Sequence, residues 1–235
     1  MPSYTLNIDI DSTDLQAIYA AGESVTIVKQ SPSGPSVAWV AFLPFEANTL
    51  TWTDSYALYA SNTGVQGGAV ISQLSNVAAS PGLKYPFING NFGAGVPDAT
   101  LPPNTYETTN QMSAFSTLTF GLAQSVQVNG TAQPNNPINA QTVPLNQTAT
   151  FTPYDNITVF LQSQVQSSQV LTTVTSQNIQ LSFGGATTTQ TISYTAASGW
   201  TILNSATAAV ARMRPALHAA IDTFVDTALG LRPHR

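Results

Sequence analysis

The first ten residues alternate. Tyr4, Leu6, Ile8 and Ile10 carry the apolar side chains while Thr5, Asn7 and Asp9 carry the polar ones, and this period of two predicts a strand with one buried face. Asp11 or Ser12 then stands where a helix cap is needed, Leu15, Ile18 and Tyr19 form an apolar stripe, and Gly22 suits a left-handed stop. A short N-terminal helix is predicted, followed by a strand from Val25 to Lys29. Residues 37–43 are apolar on both sides of the chain, which predicts a central strand covered on both faces and ended by Pro44. Alternation returns from Leu50 through Trp52 and Tyr56 to Leu58.

Gly, Pro and Asn then crowd residues 80–104, including Asn89-Gly90-Asn91-Phe92-Gly93 and Pro102-Pro103, a passage read as loop and, near 95–105, as a candidate boundary. Further strands are predicted around Leu118 to Leu122, Ile157 to Val165 and Ile179 to Phe183, with a Pro/Asn loop at 129–144 between the first of them and the others. Gly184-Gly185 supplies the positive φ of a hairpin turn, and Ile192 and Tyr194 form its returning apolar face. Beyond Ser205 the period changes to that of a helix. Val210, Met213, Leu217, Ile221, Phe224 and Val225 share one face, and Pro215 kinks or restarts the element. The expected fold is therefore mainly β: an antiparallel two-sheet β-sandwich over 1–204 with a short N-terminal helix, then a C-terminal amphipathic helix and tail over 205–235. That last helix packs on its own domain or faces a partner or membrane.

Charge changes the picture most. Of 235 residues only 7% are charged, with 6 Lys+Arg against 11 Asp+Glu and a net charge of −5. Two of the basic residues precede position 205 and four follow it. So few cations cannot neutralise many phosphates, and a nucleic-acid partner is not expected. The longest apolar run, residues 37–45, is too short to span hydrocarbon as a helix. Asn7, Asp9 and Asp11 stand where a secretory signal would place a basic start and an apolar core. Localisation is left unknown, with a signal-less extracellular route as one option. The absence of cysteine removes disulfides, thiolate nucleophiles and Cys-ligated zinc.

The stretches VTIVK at 25–29, VAWVAFLPFEANTLTW at 37–52, YALYASNTG at 56–64, FTPYDNITVFLQSQVQSSQV at 151–170 and QLSFGG at 180–185 are core-like apolar and aromatic patterns. On them the chain resembles a loose family of small microbial β-proteins with no assigned activity. The likeness covers roughly 25–200. It implies fold alone and brings no site residue.

Catalytic signals are sparse. His218 and Asp222 are four apart on the predicted helix, but no Gly-x-Ser-x-Gly elbow accompanies them, and His234 lies in the tail. Counting a calcium loop from Asp9 puts Asp14 where Gly is required and Ala20 where Glu is required, so that pattern fails. Glu23, Glu46, Asp54, Asp98 and Glu107 form the pool from which a glycosidase pair would come, and their spacing selects none. Gly64, Gly67 and Gly68 match no phosphate loop. The protein is expected to be non-enzymatic, with no metal and no cofactor.

Trp39 and Trp52 fall in core-like strands. Tyr85, Phe92 and Trp200 are flanked by loop formers, with Asn89, Asn91 and Asp98 near the first two, and these six are the candidate ligand-binding residues. Between Thr108 and Ala211 the one charged residue is Asp155. Thr, Ser, Gln and Asn therefore hydrate the strands, and such groups are buried against another protein far more cheaply than ions. The functional expectation is a homo-oligomerising recognition protein, lectin-like or toxin-like, binding glycan or a membrane surface. A structural subunit of a filament or shell, and a β-pore-forming toxin, are the alternatives.

Overall fold

The computed structural model describes residues 2–30, 35–171, 174 and 176–204; the predicted C-terminal helix, His218 and His234 lie outside them. In chain order the elements begin with β1 (Ser3–Ile10), α1 (Ser12–Ala20), β2 (Glu23–Lys29), β3 (Ala38–Phe42), β4 (Ala47–Thr53) and β5 (Tyr56–Ser61). Next come β6 (Gln73–Ala79), β7 (Leu83–Ile88), β8 (Asn91–Phe92), β9 (Val96–Pro97), β10 (Tyr106–Asn110) and β11 (Thr117–Val128). The remainder are β12 (Thr131–Pro137), β13 (Gln141–Pro144), β14 (Thr148–Phe151), β15 (Asn156–Ser163), β16 (Asn178–Ser182), β17 (Thr189–Thr195) and β18 (Gly199–Ile202). The protein is mainly β.

These strands make three sheets where the sequence predicts two. A nine-stranded sheet runs β18-β17-β1-β4-β11-β5-β6, with β12 and β13 also on β11; a five-stranded sheet runs β14-β10-β7-β8 with β9 on β7; a four-stranded sheet runs β16-β15-β2-β3. Pairing is antiparallel except for β1 with β17 and β7 with β10. One apolar cluster draws on all three sheets, among them Leu6, Ile27, Leu50, Leu58, Phe87, Phe120, Phe151 and Val159. β11 is its spine. Val126 faces Trp52 of β4 and Gln133 of β12, and Phe120 faces Ala60 of β5 and Gln141 of β13, so both edges of β11 are used along its length.

The passages expected to be loop supply the extra strands. Residues 80–104 hold β7, β8 and β9, and 129–144 hold β12 and β13. Asn89-Gly90 and Asn129-Gly130 have positive φ at both residues, the geometry of tight two-residue hairpin turns. Pro86 is tolerated in β7 because it stands between the short pairings to β8 and β9, and its carbonyl accepts the Gly93 N–H at 2.7 Å.

Two other expectations change. β3 ends its sheet instead of standing at its centre, and residues 167–169 cover its free edge: Ala38 N–H donates to Gln169 O, Ser168 N–H to Ala38 O and Ala41 N–H to Ser167 Oγ. Gly184 and Thr187 close a tight turn, yet β16 joins the four-stranded sheet and β17 the nine-stranded one, so no hairpin forms. The helix is as predicted: the Asp11 carboxylate accepts the Thr13 N–H at 3.1 Å, and Gly22 has a φ of 63°.

Gly121 of β11 allows the closest approach in the sheet. A Cβ there would meet the Asn139 backbone carbonyl and lie 2.7 Å from the Tyr59 ring. Gly121→Ala is expected to destabilise the protein by about 3 kcal/mol, measured as a fall in the urea midpoint with unchanged slope.

Candidate functional site

The alternation of β2 leads to a lysine turned inward. Lys29 ends that strand at 3% exposure, and its Nζ lies 4.9 Å from the Trp39 ring centre, 5.6 Å from Trp52 and 5.7 Å from Tyr56. These rings come from β3, β4 and β5, so one ammonium joins the four-stranded sheet to the nine-stranded one. Trp39 meets Trp52 edge to face at 5.4 Å, and Tyr4 and Phe183 pack on Trp52 at 5.7 and 4.8 Å. Trp39 Nε1 donates to Gln124 O at 3.0 Å, which fixes its ring plane.

Burial holds the Lys29 amine down at about 8, against the opposing fields of Asp155 and Asp54. Partial desolvation, and then Asp54, push the Asp155 carboxyl up although the residue is exposed, while Lys29 pulls it down. Burial and Asp54 also raise the Tyr56 phenol. Gly184, at φ 113°, permits this arrangement because a Cβ would stand only 3.2 Å from the Asp155 carboxylate. An amine, two carboxylates and phenols are the materials of acid–base chemistry, but the enclosure of Lys29 leaves no approach to its nitrogen. The arrangement binds sheet to sheet.

The six candidate ligand-binding residues do not converge. Tyr85 is 5% exposed in β7; its hydroxyl accepts the Ser80 N–H at 2.9 Å, so it is a core ring and not a platform. Phe92 is half-buried against Phe87 at 4.9 Å and Phe120 at 6.2 Å. Asn89 and Asn91 are exposed at the β7–β8 turn. Asp98 accepts from the Thr100 N–H and hydroxyl at 2.9 and 2.6 Å, and lies 3.3 Å from Lys84 Nζ, which also meets Glu107 at 2.7 Å. The Thr100 bonds, then Lys84, hold the Asp98 carboxyl below its ordinary range. Trp200 belongs to β18, its ring tilted against that of Tyr194 at 5.0 Å, at the opposite end of the nine-stranded sheet from β6, which is the strand that touches β8. Tyr85, Asn91 and Phe92 thus lie in the five-stranded sheet, Asn89 and Asp98 in its connections, and Trp200 stands apart.

An open groove of about 440 Å³ crosses β1, β4, β11 and β12, lined by Ser3, Thr51, Thr53, Ser125, Gln127 and Gln133 together with Pro134. Trp52, Val126 and Ala132 complete the lining; none of its side chains is charged, and most of its surface is apolar. Sequence reasoning missed this groove and Lys29. Its signal for the cluster was Asp155, the one ion in a hundred-residue neutral stretch.

Folding leaves Lys29 with a lower affinity for its proton than the unfolded chain, whose ordinary value is 10.5. Stability is therefore level below pH 8 from this source and rises with pH from about 8 towards 10. The raised phenols of Tyr56, Tyr59 and Tyr106, the last pushed up to about 12, have the opposite effect once unfolded tyrosines ionise near 10. Chemical denaturation across pH 7–11 is expected to show a maximum near 10. Lys29→Met flattens the rise at little or no loss at pH 7, whereas Lys29→Ala, which leaves a cavity among the rings, loses about 2–4 kcal/mol.

No protein-family model matches the chain, and no curated protein and no solved structure matches it.

Proposed function

We propose that the chain is a non-enzymatic recognition protein, a β-sandwich-like domain over 1–204 that self-associates and meets an uncharged surface. One observation carries this reading. Among the described residues, the strands paired on one side only are β3, β6, β8, β9, β12, β13, β14, β16 and β18, and none contains Asp, Glu, Lys or Arg. The ions that strands do carry, Asp9, Glu23, Lys29, Lys84 and Glu107, lie on β1, β2, β7 and β10, each paired on both sides.

Soluble β proteins ordinarily place charge at their edges, because an unpaired edge templates pairing with another chain. Here prolines guard β9, β12 and β13, and residues 167–169 cover β3. β6 is the longest of the others, with no proline and with Leu74 half exposed. It is the edge that best suits a second copy. The groove, mainly apolar with uncharged hydroxyls and amides among its lining, suits a neutral ligand such as a glycan, whose ring faces and hydroxyls need no ion to meet them.

Light scattering after size exclusion, across a concentration series, tests the association. The scattering mass is expected to climb above the monomer with concentration and to level at a closed oligomer. Leu74→Lys is expected to move the midpoint about tenfold higher in concentration. A wild-type chain that stays monomeric throughout overturns the reading.

A further inference from the structure

The chain contains two Asn-Gly pairs, Asn89-Gly90 and Asn129-Gly130, and the fold holds them differently. In each pair both residues have positive φ, and each asparagine is exposed at a tight hairpin turn. Local sequence and turn geometry are thus shared. What separates the two is how the side chain is held and how firmly the turn is closed.

Asn129 is tied by side chain and backbone. Its Oδ1 accepts the Thr49 N–H at 2.8 Å, its Nδ2 donates to Asn48 Oδ1 at 3.1 Å, and its own N–H donates to Thr49 O at 2.9 Å. The turn joins β11 to β12, strands of 12 and 7 residues, with Val128 opposite Thr131 and Gln127 opposite Ala132. The Asn89 side chain, by contrast, has no hydrogen-bond partner among the described residues, where only its backbone carbonyl accepts, from Asn91 Nδ2. Its turn is closed by β8, a strand of 2 residues, through Ile88 opposite Asn91 and Phe87 opposite Phe92. The Gly90 N–H is held by the Met112 sulfur at 3.1 Å, a weak acceptor. So short a strand opens at low cost, whereas opening the other turn breaks a long ladder and the bonds to β4.

The difference bears on chemistry that needs no enzyme. Glycine has no Cβ to obstruct its nitrogen. When the Asn89 tip opens, the Gly90 nitrogen attacks Asn89 Cγ; the new C–N bond closes a cyclic imide, and the side-chain nitrogen leaves as ammonia with the proton from Gly90. Water then adds to either imide carbonyl and opens the ring to aspartate or isoaspartate. Each product is a carboxylate, and isoaspartate also lengthens the backbone within the turn by a methylene.

We propose that Asn89 is a self-modifying site of the folded protein, converted to aspartate and isoaspartate by the Gly90 nitrogen, and that Asn129 is kept intact by its bonds to β4. Conversion places a carboxylate beside β8, a margin strand without ions that touches β6, the edge best suited to a second copy. A charge there guards the edge and weakens association. The modification itself is independent of the self-association reading; its effect on assembly rests on it.

The test is peptide mapping by mass spectrometry after timed incubation of the full chain in warm, mildly alkaline buffer, folded and in urea. In the folded protein Asn89 is expected to convert about tenfold or more faster than Asn129, the factor that the lost side-chain bonds supply. In urea the two rates are expected to converge, since both asparagines precede glycine. Equal rates in the folded protein, a faster rate at Asn129, or an intact Asn89 over a time in which the urea-unfolded chain converts both each overturns the proposal. Light scattering of the Asn89→Asp variant reads the consequence: association is expected to need a higher concentration than in wild type. An oligomer indifferent to Asn89→Asp overturns the role at the margin, while a wild type that is monomeric throughout removes the self-association reading and leaves the modification site standing on its rates.

Discussion

A cation removed from water must be compensated where it lands, and in this protein the Lys29 ammonium lands among Trp39, Trp52 and Tyr56. The ring faces offset part of the lost hydration, and the fields of Asp54 and Asp155 offset more. None of these groups is near Lys29 in sequence except Trp39. The arrangement therefore exists only when β2, β3, β4 and β5 are in register and the two sheets have closed on each other. A buried ion without its rings would cost several kcal/mol, so a wrongly docked pair of sheets is penalised at this one position.

The rest of the ion distribution follows the same inversion. Lys84, part-exposed on the doubly paired strand β7, holds Asp98 and Glu107 together, so both described lysines join segments of the fold. What is left for the sheet margins is Thr, Ser, Gln and Asn. Those side chains keep the margins wet, yet they present little barrier to a neighbour that offers matching hydrogen bonds. The same holds for the groove over β4 and β11, whose lining side chains are all uncharged.

Local signals in the chain were legible and non-local ones were not. Alternation locates β1 and β15, and the Asp11 cap and Gly22 stop bracket α1, because each depends on neighbours a few residues away. Apolar character on both sides of residues 37–43 said that the strand is covered without saying that residues 167–169 cover it at a sheet edge. Gly184-Gly185 announced a turn, but which sheet β16 and β17 join is decided by β15 and β1, far off in sequence. The third sheet was hidden by its own turn residues: Asn-Gly pairs and prolines make 80–104 look like loop although they punctuate short strands. At the candidate site, Tyr85, Phe92 and Asp98 resembled ligand contacts because sequence shows loop formers around them and not the core or the lysine they bind. Lys29 was passed over because a lysine at a strand end is ordinarily solvated.

A sheet built from alternating Thr, Ser and Gln has weak register specificity, since a slip of two residues exchanges like for like. Buried amides supply what charge does not. Asn48 donates to Ile8 O at 3.2 Å, Asn139 accepts the Leu122 N–H at 2.8 Å, Asn110 donates to Val143 O at 3.0 Å, and Gln124 donates to Thr53 O at 2.8 Å. All four side chains are buried, and each bonds the backbone of a particular partner segment. A slip would strand them without partners at about 1–3 kcal/mol apiece, comparable to the whole margin of a single-domain protein when summed. Asn48 is the same residue that ties off the Phe45 backbone, so the anchor that registers β4 against β1 also shapes the turn that exposes Leu43 and Phe45. One buried amide thus fixes a strand's register and the turn that leads into it, with no charge involved in either.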